Sequence, residues 1–214
     1  MINDSNKNTS NNLTLLIDLQ YLPSISYFKQ IKKADTIILE SHETFQKQTF
    51  RNRCEILTAN GRDALIVPVK HGSSSMIKDI QIDYQQRWYQ IHERTVRAAY
   101  GKAPFFDFLI DDLASIWAKK HAFLWDLNIE MLSLCLEKLT LKKEILESNS
   151  YIKPLETGDN HLDLRGKIIP SLNQKDGHDV NKTYHQVFGN EFVKELSIID
   201  VLFCAVLDSP EIVH

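Results

Sequence analysis

The sequence predicts an α/β fold: an N-terminal mixed sheet that opens with a βαβ unit and an Asn-Gly hairpin, followed by a helical C-terminal half. Three observations support it. Short apolar runs alternate with a segment of helical spacing at the start of the chain. The pair Asn60-Gly61 lies between two strand-like runs. Three segments with helical periodicity then fill the middle of the chain.

The opening βαβ unit is predicted from the first apolar segments. Leu13 to Leu19 is an apolar run typical of a buried strand, and Pro23 stands where a helix could begin. Ser24 to Lys33 carries apolar side chains at helical spacing, and Thr36 to Leu39 is β-branched and apolar. A strand, a helix and a second strand in this order indicate parallel pairing.

A hairpin is predicted next. Arg51 to Thr58 and Ala64 to Val69 flank the pair Asn60-Gly61, which is a strong short-range signal for a hairpin. We expect this antiparallel pair to be added to the sheet. Ile77 to Ile82 could supply one more short strand.

The rest of the chain is predicted to be helical and then irregular. Three helices are expected at Gln86 to Tyr100, Phe105 to Lys119 and Leu124 to Leu139. Tyr151 to Thr183 is polar and contains prolines and glycines, as long irregular connections do. A last helix should start at Ser197, because Ser197-x-x-Asp200 is a capping-box variant ahead of the apolar run Val201 to Leu207.

Length and composition limit the domain organisation. A chain of 214 residues with 43% hydrophobic content can bury a sizeable core, and we expect a single domain over residues 13–207. A disordered lead-in at 1–12 and a tail at 208–214 would flank it. Within the domain, 13–84 should be rich in sheet, 85–140 helical, and 141–207 an irregular connection with a terminal helix.

Charge and cysteine usage exclude several classes of function. The formal net charge of -3 provides no broad basic field, so we expect no nucleic-acid partner. The first apolar stretch is too short for a signal sequence or a membrane span, and we expect a cytoplasmic protein. The three cysteines, Cys54, Cys135 and Cys204, are widely spaced among apolar neighbours, as reduced core cysteines usually are.

Glycine and histidine spacing argues against common cofactor sites. The scattered glycines form neither the dinucleotide-binding nor the phosphate-loop motif. Two histidines at i, i+4 and a Cys-x-x-Cys pair are both absent, so no metal site is predicted. The sequence leaves the cofactor unknown.

The strongest candidate site lies in the loop and strand around Arg51. On a regular strand Arg51 and Arg53 share one face, with Asn52 on the other, so two guanidiniums would project side by side and suit a phosphate or carboxylate pair. The preceding loop adds polar and acid–base groups at His42, Glu43, Lys47 and Gln48. The alternative is that this face is simply the solvated side of a half-buried hairpin.

Other polar groups have equally simple alternatives. The loop containing Gln20, Ser24 and Tyr27 follows the first strand, where open α/β sheets bind ligands, but Pro23 and Ser24 are also ordinary helix-start residues. His92 could bind a ligand or be a hydrogen-bonded core histidine. Three alternating charges could contact a ligand or merely be solvated: Asp163, Arg165 and Lys167.

Two blocks of sequence resemble a known family. The first, Gln20-Tyr21-Leu22-Pro23-x-x-x-Tyr27-Phe28 followed by Ala34-Asp35, is similar to the family's opening signature but lacks its usual Gln-Pro dipeptide. The second, Glu40 to Cys54, is similar to its H-E-x-Y-x-K-Q-x-Y-R-N-R-C block. With Asp163-Leu164-Arg165 and other matches, the chain resembles the WbqC-like family from roughly Leu13 to Leu207.

The resemblance implies a bacterial protein associated with genes for O-antigen and related surface polysaccharides, and a glycine or other acyl transferase role. Our working hypothesis is a transferase in which Lys47, Arg51 and Arg53 hold a small anionic donor, either nucleotide-linked or an activated acyl group. His42 would be the acid–base group, assisted by Glu43. The alternative is a non-catalytic module that binds a sugar nucleotide or a partner enzyme of the same pathway. The oligomeric state is left open.

Overall fold

The computed structural model describes residues 12–70, 75–154, 160–170 and 182–213. Its elements, in chain order, are β1 (Thr14–Ile17), α1 (Ile25–Lys33), β2 (Thr36–Leu39), β3 (Arg53–Thr58), β4 (Gly61–Ile66), β5 (Val69–Lys70), β6 (Gln81–Ile82), α2 (Trp88–Tyr100), α3 (Phe106–Ala118), α4 (Leu124–Lys138), β7 (Glu144–Glu147), β8 (His161–Asp163), α5 (Ile198–Cys204) and α6 (Ser209–Ile212). The predicted α/β class is confirmed, since strands dominate the N-terminal part of the chain and helices follow it.

The main sheet has four parallel strands in the order β7-β2-β1-β8. The predicted βαβ unit forms its centre, with Thr14 of β1 opposite Thr36 of β2. The two outer strands were not predicted. β7 and β8 contain only four and three residues and lie at the edges, so their side chains are mostly part-exposed or exposed and leave no continuous apolar run in the sequence.

The hairpin forms where predicted but does not join this sheet. β3 and β4 pair as a separate two-stranded sheet, and β5 and β6 form another. The turn lies at Ala59–Asn60, and Gly61, the first residue of β4, has a positive φ of 95° that suits glycine. The edge of the sheet beside β2, the strand that precedes the hairpin in the chain, is occupied by β7. Of the predicted strand Ile77 to Ile82, only β6 is extended, after a turn of 3-10 helix at Ile77–Asp79.

The terminal helix α5 lies at the centre of the core. All seven of its residues are buried, and it packs against α1, α3, α4 and β3. Ser197 caps the helix by accepting a hydrogen bond from the backbone N–H of Ile199, as expected of a cap. The reciprocal half of the predicted capping box is absent, because the backbone N–H of Ser197 donates to the carbonyl of Glu55 at 2.7 Å.

Asp200 instead organises a buried polar cluster. Its carboxylate accepts hydrogen bonds from the hydroxyls of Tyr100 (2.8 Å) and Tyr184 (2.5 Å) and from the amide of Gln186 (3.0 Å). Burial raises the pKa of Asp200, although these three donors oppose the shift. The cluster ties α2 and the segment at Tyr184 to the central helix.

The structure describes the C-terminal end of the chain but almost none of the expected N-terminal lead-in. The expected tail is structured, since residues 209–212 form α6 and Ile212 and Val213 are buried. The expected lead-in falls almost entirely on residues 1–11, outside the described part. The three cysteines are free and buried, as predicted. In the described ranges, no helix is both long and apolar enough to cross a membrane.

His92 belongs to the core and not to a binding surface. It is 3% exposed, its Nε2 lies 3.1 Å from the carbonyl of Ile66, and its Nδ1 lies 3.0 Å from the hydroxyl of Tyr21. Because a carbonyl can only accept, Nε2 carries the hydrogen and Nδ1 accepts from Tyr21. The indole of Trp117 in turn donates to that hydroxyl at 2.8 Å. Of the two alternatives for His92, the structure therefore fits the hydrogen-bonded core histidine.

This network predicts a pH-dependent stability. Burial lowers the pKa of His92 to about 4, and the hydrogen bond to Ile66 only partly opposes this shift. In the unfolded chain the pKa of a histidine is about 6.5. Between these values the unfolded state binds a proton that the folded state does not, so this contribution is present above about pH 6.5 and is lost as the pH falls towards about 4. We expect His92 to account for a loss of about 3 kcal/mol.

The measurement is urea unfolding from pH 7 to pH 4 on the parent and on His92→Gln, which keeps an amide donor for Ile66. The variant should lose about 3 kcal/mol less over that range. His185→Gln, at an exposed histidine, is the control and should follow the parent. Identical pH profiles for the parent and His92→Gln would contradict the assignment.

Candidate functional site

A cleft of about 730 Å³ lies at the carboxyl ends of the parallel strands. Three stretches of chain line it: the loop after β2 with the segment before β3, the connection after β7, and the turn after β8. The residues are His42, Glu43, Thr44, Gln46, Arg51, Tyr151, Pro154, Asp163, Arg165, Gly166 and Lys167.

The sheet topology explains why the cleft is there. The chain runs outward from β1 to β2 and later to β7, whereas β8 is added on the other side of β1. Where strand order reverses in this way, the loops at the carboxyl ends diverge and leave a crevice, which is where open α/β sheets bind ligands. Asp18 follows β1, Glu40 follows β2, Ser148 follows β7 and Asp163 ends β8.

Arg51 forms a buried ion pair in the wall of the cleft. Its guanidinium is fully buried and donates from Nε and Nη2 to the two carboxylate oxygens of Glu43, at 2.7 and 2.6 Å. Its Nη1 lies 3.6 Å from Asp18 Oδ2 and has no hydrogen-bond acceptor in the described structure. Although burial opposes the charged form, the bonds and charges of Glu43 and Asp18 raise the pKa of Arg51.

For Glu43, the effect of burial outweighs that of the ion pair. Burial raises the pKa of this carboxyl, and the hydrogen bonds and charge of Arg51 only partly counteract the shift. Since both oxygens of Glu43 accept from Arg51, its role is to hold the guanidinium in place. The expected assistance of Glu43 to His42 has no geometric support.

Arg165 forms a second ion pair across the cleft. Its Nε and Nη2 donate to Asp163 at 3.0 and 2.6 Å, and Nη1 donates to Glu40 at 2.8 Å and to the carbonyl of Ile152 at 2.6 Å. The guanidinium also lies 5.2 Å from the ring centre of Tyr151. Arg165 thus joins the ends of β2 and β8.

His42 lies beside two serine hydroxyls. Its Nδ1 is 3.0 Å from Ser41 Oγ and 3.3 Å from Ser148 Oγ, and its backbone N–H donates to Glu40 at 2.9 Å. His42 is partly exposed and lines the cleft. Among the described residues, its Nε2 has no hydrogen-bond partner.

The structure brings together only some of the residues predicted as a site. His42, Glu43 and Arg51 meet in the cleft, whereas Arg53, Lys47 and Gln48 do not line it. The expected side-by-side arrangement of two guanidiniums is absent because β3 begins at Arg53, so Arg51 lies in the preceding turn and is buried. The strand alternation from which it was predicted does not extend that far.

Asn52 and three residues of the first loop are buried and do not line the cleft. The amide of Asn52 donates to the carbonyl of Val67 at 2.9 Å, and that of Gln20 donates to Asp18 and to Ile168. Ser24 is the N-cap of α1, and the hydroxyl of Tyr27 donates to the carbonyl of Asp18 at 3.0 Å. These side chains fix the backbone around the cleft; the helix-start alternative fits Ser24.

The turn after β8 contributes to the cleft. The sequence leaves open whether Asp163, Arg165 and Lys167 contact a ligand or are merely solvated, and all three line the cleft. Glu40 and Ser148 were not singled out at all. The available signal was the Asp163-Leu164-Arg165 match to the family, which placed polar residues where packing does not require them.

Two further observations complete the description of the candidate sites. Within the described ranges, no group of three histidine, cysteine or acidic side chains could hold a metal ion. A second cavity, of about 520 Å³, lies between the β3–β4 turn and α2 and is lined in part by Asn60, Ile91 and Phe188. None of the described residues that line it forms a buried ion pair like that of Arg51 and Glu43 in the first cleft.

Arg51 yields a stability prediction. Arg51→Met leaves the carboxylate of Glu43 buried without its donors, so we expect the free energy of unfolding to fall by about 3–5 kcal/mol in urea denaturation. Arg53→Met, at a partly exposed arginine nearby, should cost about 1 kcal/mol or less. Arg51→Met combined with Glu43→Leu should recover part of the loss. Equal effects of the two single variants would contradict the ion-pair assignment.

The chain is similar to a protein of known sequence and to a protein family. An uncharacterized protein of Mycobacterium tuberculosis is 28% identical over 139 residues, which is 64% of this chain and 60% of that protein. The chain thus spans about 60% of the length of this relative. No solved structure matches. The model of the WbqC-like protein family matches residues 20–176, which include every residue lining the cleft. The chain belongs to the WbqC-like protein family.

Proposed function

We propose that the protein is a transferase of bacterial surface-polysaccharide synthesis, of the O-antigen type, that uses an acyl, aminoacyl or nucleotide-linked donor. The observation that carries the proposal is that His42 and Arg51 share one cleft at the carboxyl ends of four parallel strands. The pathway is taken from what the family resemblance implies.

The polar groups that remain available define what the cleft could bind. Each oxygen of Asp18, Glu40, Glu43 and Asp163 already accepts at least one hydrogen bond. Among the described residues, Nη1 of Arg51 is a donor without an acceptor, and the exposed Lys167 lies in the same cleft. These two cations suit a carboxylate or phosphate of the donor molecule.

These available groups take over roles that our hypothesis gave to other residues. Arg51 anchors the anion with Lys167, in place of Lys47 and Arg53. The occupied carboxylates make poor nucleophiles, which favours direct transfer to the acceptor over a covalent enzyme intermediate.

The reaction then needs one base. Nε2 of His42 takes the proton from the hydroxyl or amine of the acceptor. The acceptor oxygen or nitrogen forms its bond to the transferred group as the bond between that group and the donor's leaving group breaks. The leaving group departs with the electron pair, and its negative charge is stabilised by Arg51.

A non-catalytic binding or accessory protein of the same pathway is the second candidate. The observation in its favour is that every oxygen of the four carboxylates already accepts a hydrogen bond. In the described part of the cleft, His42 is then left as the acid–base group with one nitrogen that has no hydrogen-bond partner. Binding alone does not separate the two functions, whereas turnover does.

The test begins with a ligand. A thermal-shift screen of nucleotide sugars and activated acyl donors should find one that stabilises the parent, by about 2.7 kcal/mol at a hundred times its dissociation constant. With that ligand and candidate acceptors, His42→Ala should lose about 100-fold or more of its turnover while keeping its affinity, since the base is removed and the anchor is not. Turnover and binding are measured on the same preparations.

The control is Lys47→Ala, which removes a charged residue of the same loop outside the cleft. It should retain the affinity and turnover of the parent. Turnover in the parent that persists in His42→Ala would overturn the assigned chemistry, and a parent that binds without turnover on any acceptor would support the accessory function.

A further inference from the structure

The surroundings of His42 determine which of its two nitrogens is the base. Nδ1 lies 3.0 Å from Ser41 Oγ and 3.3 Å from Ser148 Oγ. Ser41 is fully buried and Ser148 is 6% exposed, so solvent does not compete for these hydroxyls. Each hydroxyl has a single hydrogen, and its direction decides whether Nδ1 meets a donor or an acceptor.

The acceptors around the two serines draw both hydroxyl hydrogens away from the imidazole. Ser41 Oγ donates to the backbone carbonyl of Ser148 at 2.9 Å, and Ser148 Oγ donates to Glu40 Oε1 at 2.7 Å. A carbonyl and a carboxylate can only accept, and the carboxylate is the strongest acceptor within reach of Ser148. Both serine oxygens therefore present lone pairs to Nδ1.

An imidazole nitrogen that faces only lone pairs must carry the hydrogen. A neutral imidazole has one N–H, so placing it on Nδ1 leaves the lone pair on Nε2. We propose that Ser41 and Ser148, with Glu40 behind them, are positioning residues that hold His42 in the Nδ1–H form and make Nε2 the base in the cleft. This inference rests on the proposed function for the role of the base, but the hydrogen position is independent of it.

The sheet holds Glu40 and Ser148 next to each other. Leu39 of β2 is paired with Glu147 of β7, so the residues that follow, Glu40 and Ser148, leave adjacent strands side by side. The backbone N–H of Ser41 donates to Ser148 Oγ at 2.9 Å, and that of Ser148 donates to the carbonyl of Leu39 at 3.0 Å. The serines are thus placed by strand register and not by flexible side chains.

Glu40 is held as an acceptor. It is fully buried, and its oxygens accept from Ser148, from the backbone of His42 and Ile152, and from Arg165. Burial acts to raise its pKa, but these hydrogen bonds and the charge of Arg165 outweigh it, and the pKa of Glu40 is lowered. An ionised Glu40 cannot donate to Ser148, which keeps the hydroxyl turned away from His42.

The arrangement also serves the reaction after proton transfer. When Nε2 takes a proton, the positive charge spreads over the ring, and the Nδ1–H points at two oxygens whose own hydrogens are directed at a carbonyl and a carboxylate. The imidazolium is thereby stabilised without moving any group, as in other sites where a third residue orients the base.

The experiment is nitrogen-15 NMR of the histidine rings in the full-length protein, at a pH where the imidazole is neutral. The signals of His42 are assigned by their absence in His42→Gln. In the parent we expect Nδ1 to show the shift of a protonated nitrogen and Nε2 that of an unprotonated one. In Ser41→Ala with Ser148→Ala, both shifts should move towards the average of the two tautomers.

Ser133→Ala is the control, because its hydroxyl lies on an exposed face of α4 and donates to the carbonyl of Ile129. It should leave both His42 signals unchanged. In the parent, a protonated Nε2 with an unprotonated Nδ1 would overturn the inference even if the double variant did not fold. Unchanged His42 shifts in a folded double variant would overturn the positioning role of the serines.

The assay found for the proposed function adds a second readout. If His42 is the base, the double serine variant should lower kcat by about tenfold or more with KM unchanged, since it disturbs the tautomer and not the anchor. Loss of the tautomer in the NMR spectrum with kcat intact would leave the hydrogen assignment standing and remove the role of His42 in the transferase.

Discussion

The buried guanidinium of Arg51 is the constraint on which the candidate site depends. A charge that is fully removed from water is costly unless carboxylates surround it, and Glu43 and Asp18 provide them from two different loops. The ion pair therefore joins the end of β1, the loop after β2 and the turn before β3. It also leaves Nη1 of Arg51, a residue that lines the cleft, without a hydrogen-bond acceptor among the described residues.

The same logic accounts for the concentration of acids at one edge of the sheet. Parallel strands place their carboxyl ends together, so Asp18, Glu40 and Asp163 are brought close by the topology alone. Unpaired, they would repel one another and any anionic ligand. Arg165 offsets the charges of Glu40 and Asp163 by hydrogen-bonded ion pairs, and Nη1 of Arg51 lies 3.6 Å from Asp18 Oδ2. Among the described residues that line the cleft, Nη1 of Arg51, Lys167 and the imidazole of His42 remain available.

Much of the fold could be predicted from periodicity, and the site only in part. Strong patterns predicted the βαβ unit, the hairpin and the three middle helices, because their segments carry apolar runs, helical spacing or the Asn60-Gly61 turn signal. β7 and β8 are short edge strands in polar sequence, and no pattern marks them. His42, Glu43 and Arg51 were predicted as site residues, but the burial of Arg51 depends on where β3 begins, which alternation does not determine.

The contribution of Arg165 depended on long-range pairing. Its partner Glu40 is 125 residues away in the sequence, and only the parallel register of β1 with β2 and β8 brings them together. His92 shows the converse case: it is a candidate ligand-binding residue whose two ring nitrogens both have hydrogen-bond partners inside the core. Polar residues matched by a family therefore divide into those that line the cleft and those that support it.

The central claim is that Arg51 and His42 face a ligand in the cleft at the strand ends. The most direct measurement is a crystal structure of the protein with the donor that gives the largest thermal shift. The account predicts the anionic group of that donor within hydrogen-bonding distance of Arg51 Nη1, with the transferred group near His42 Nε2. Density for the donor in the second cavity, between the β3–β4 turn and α2, with the first cleft empty, would contradict it.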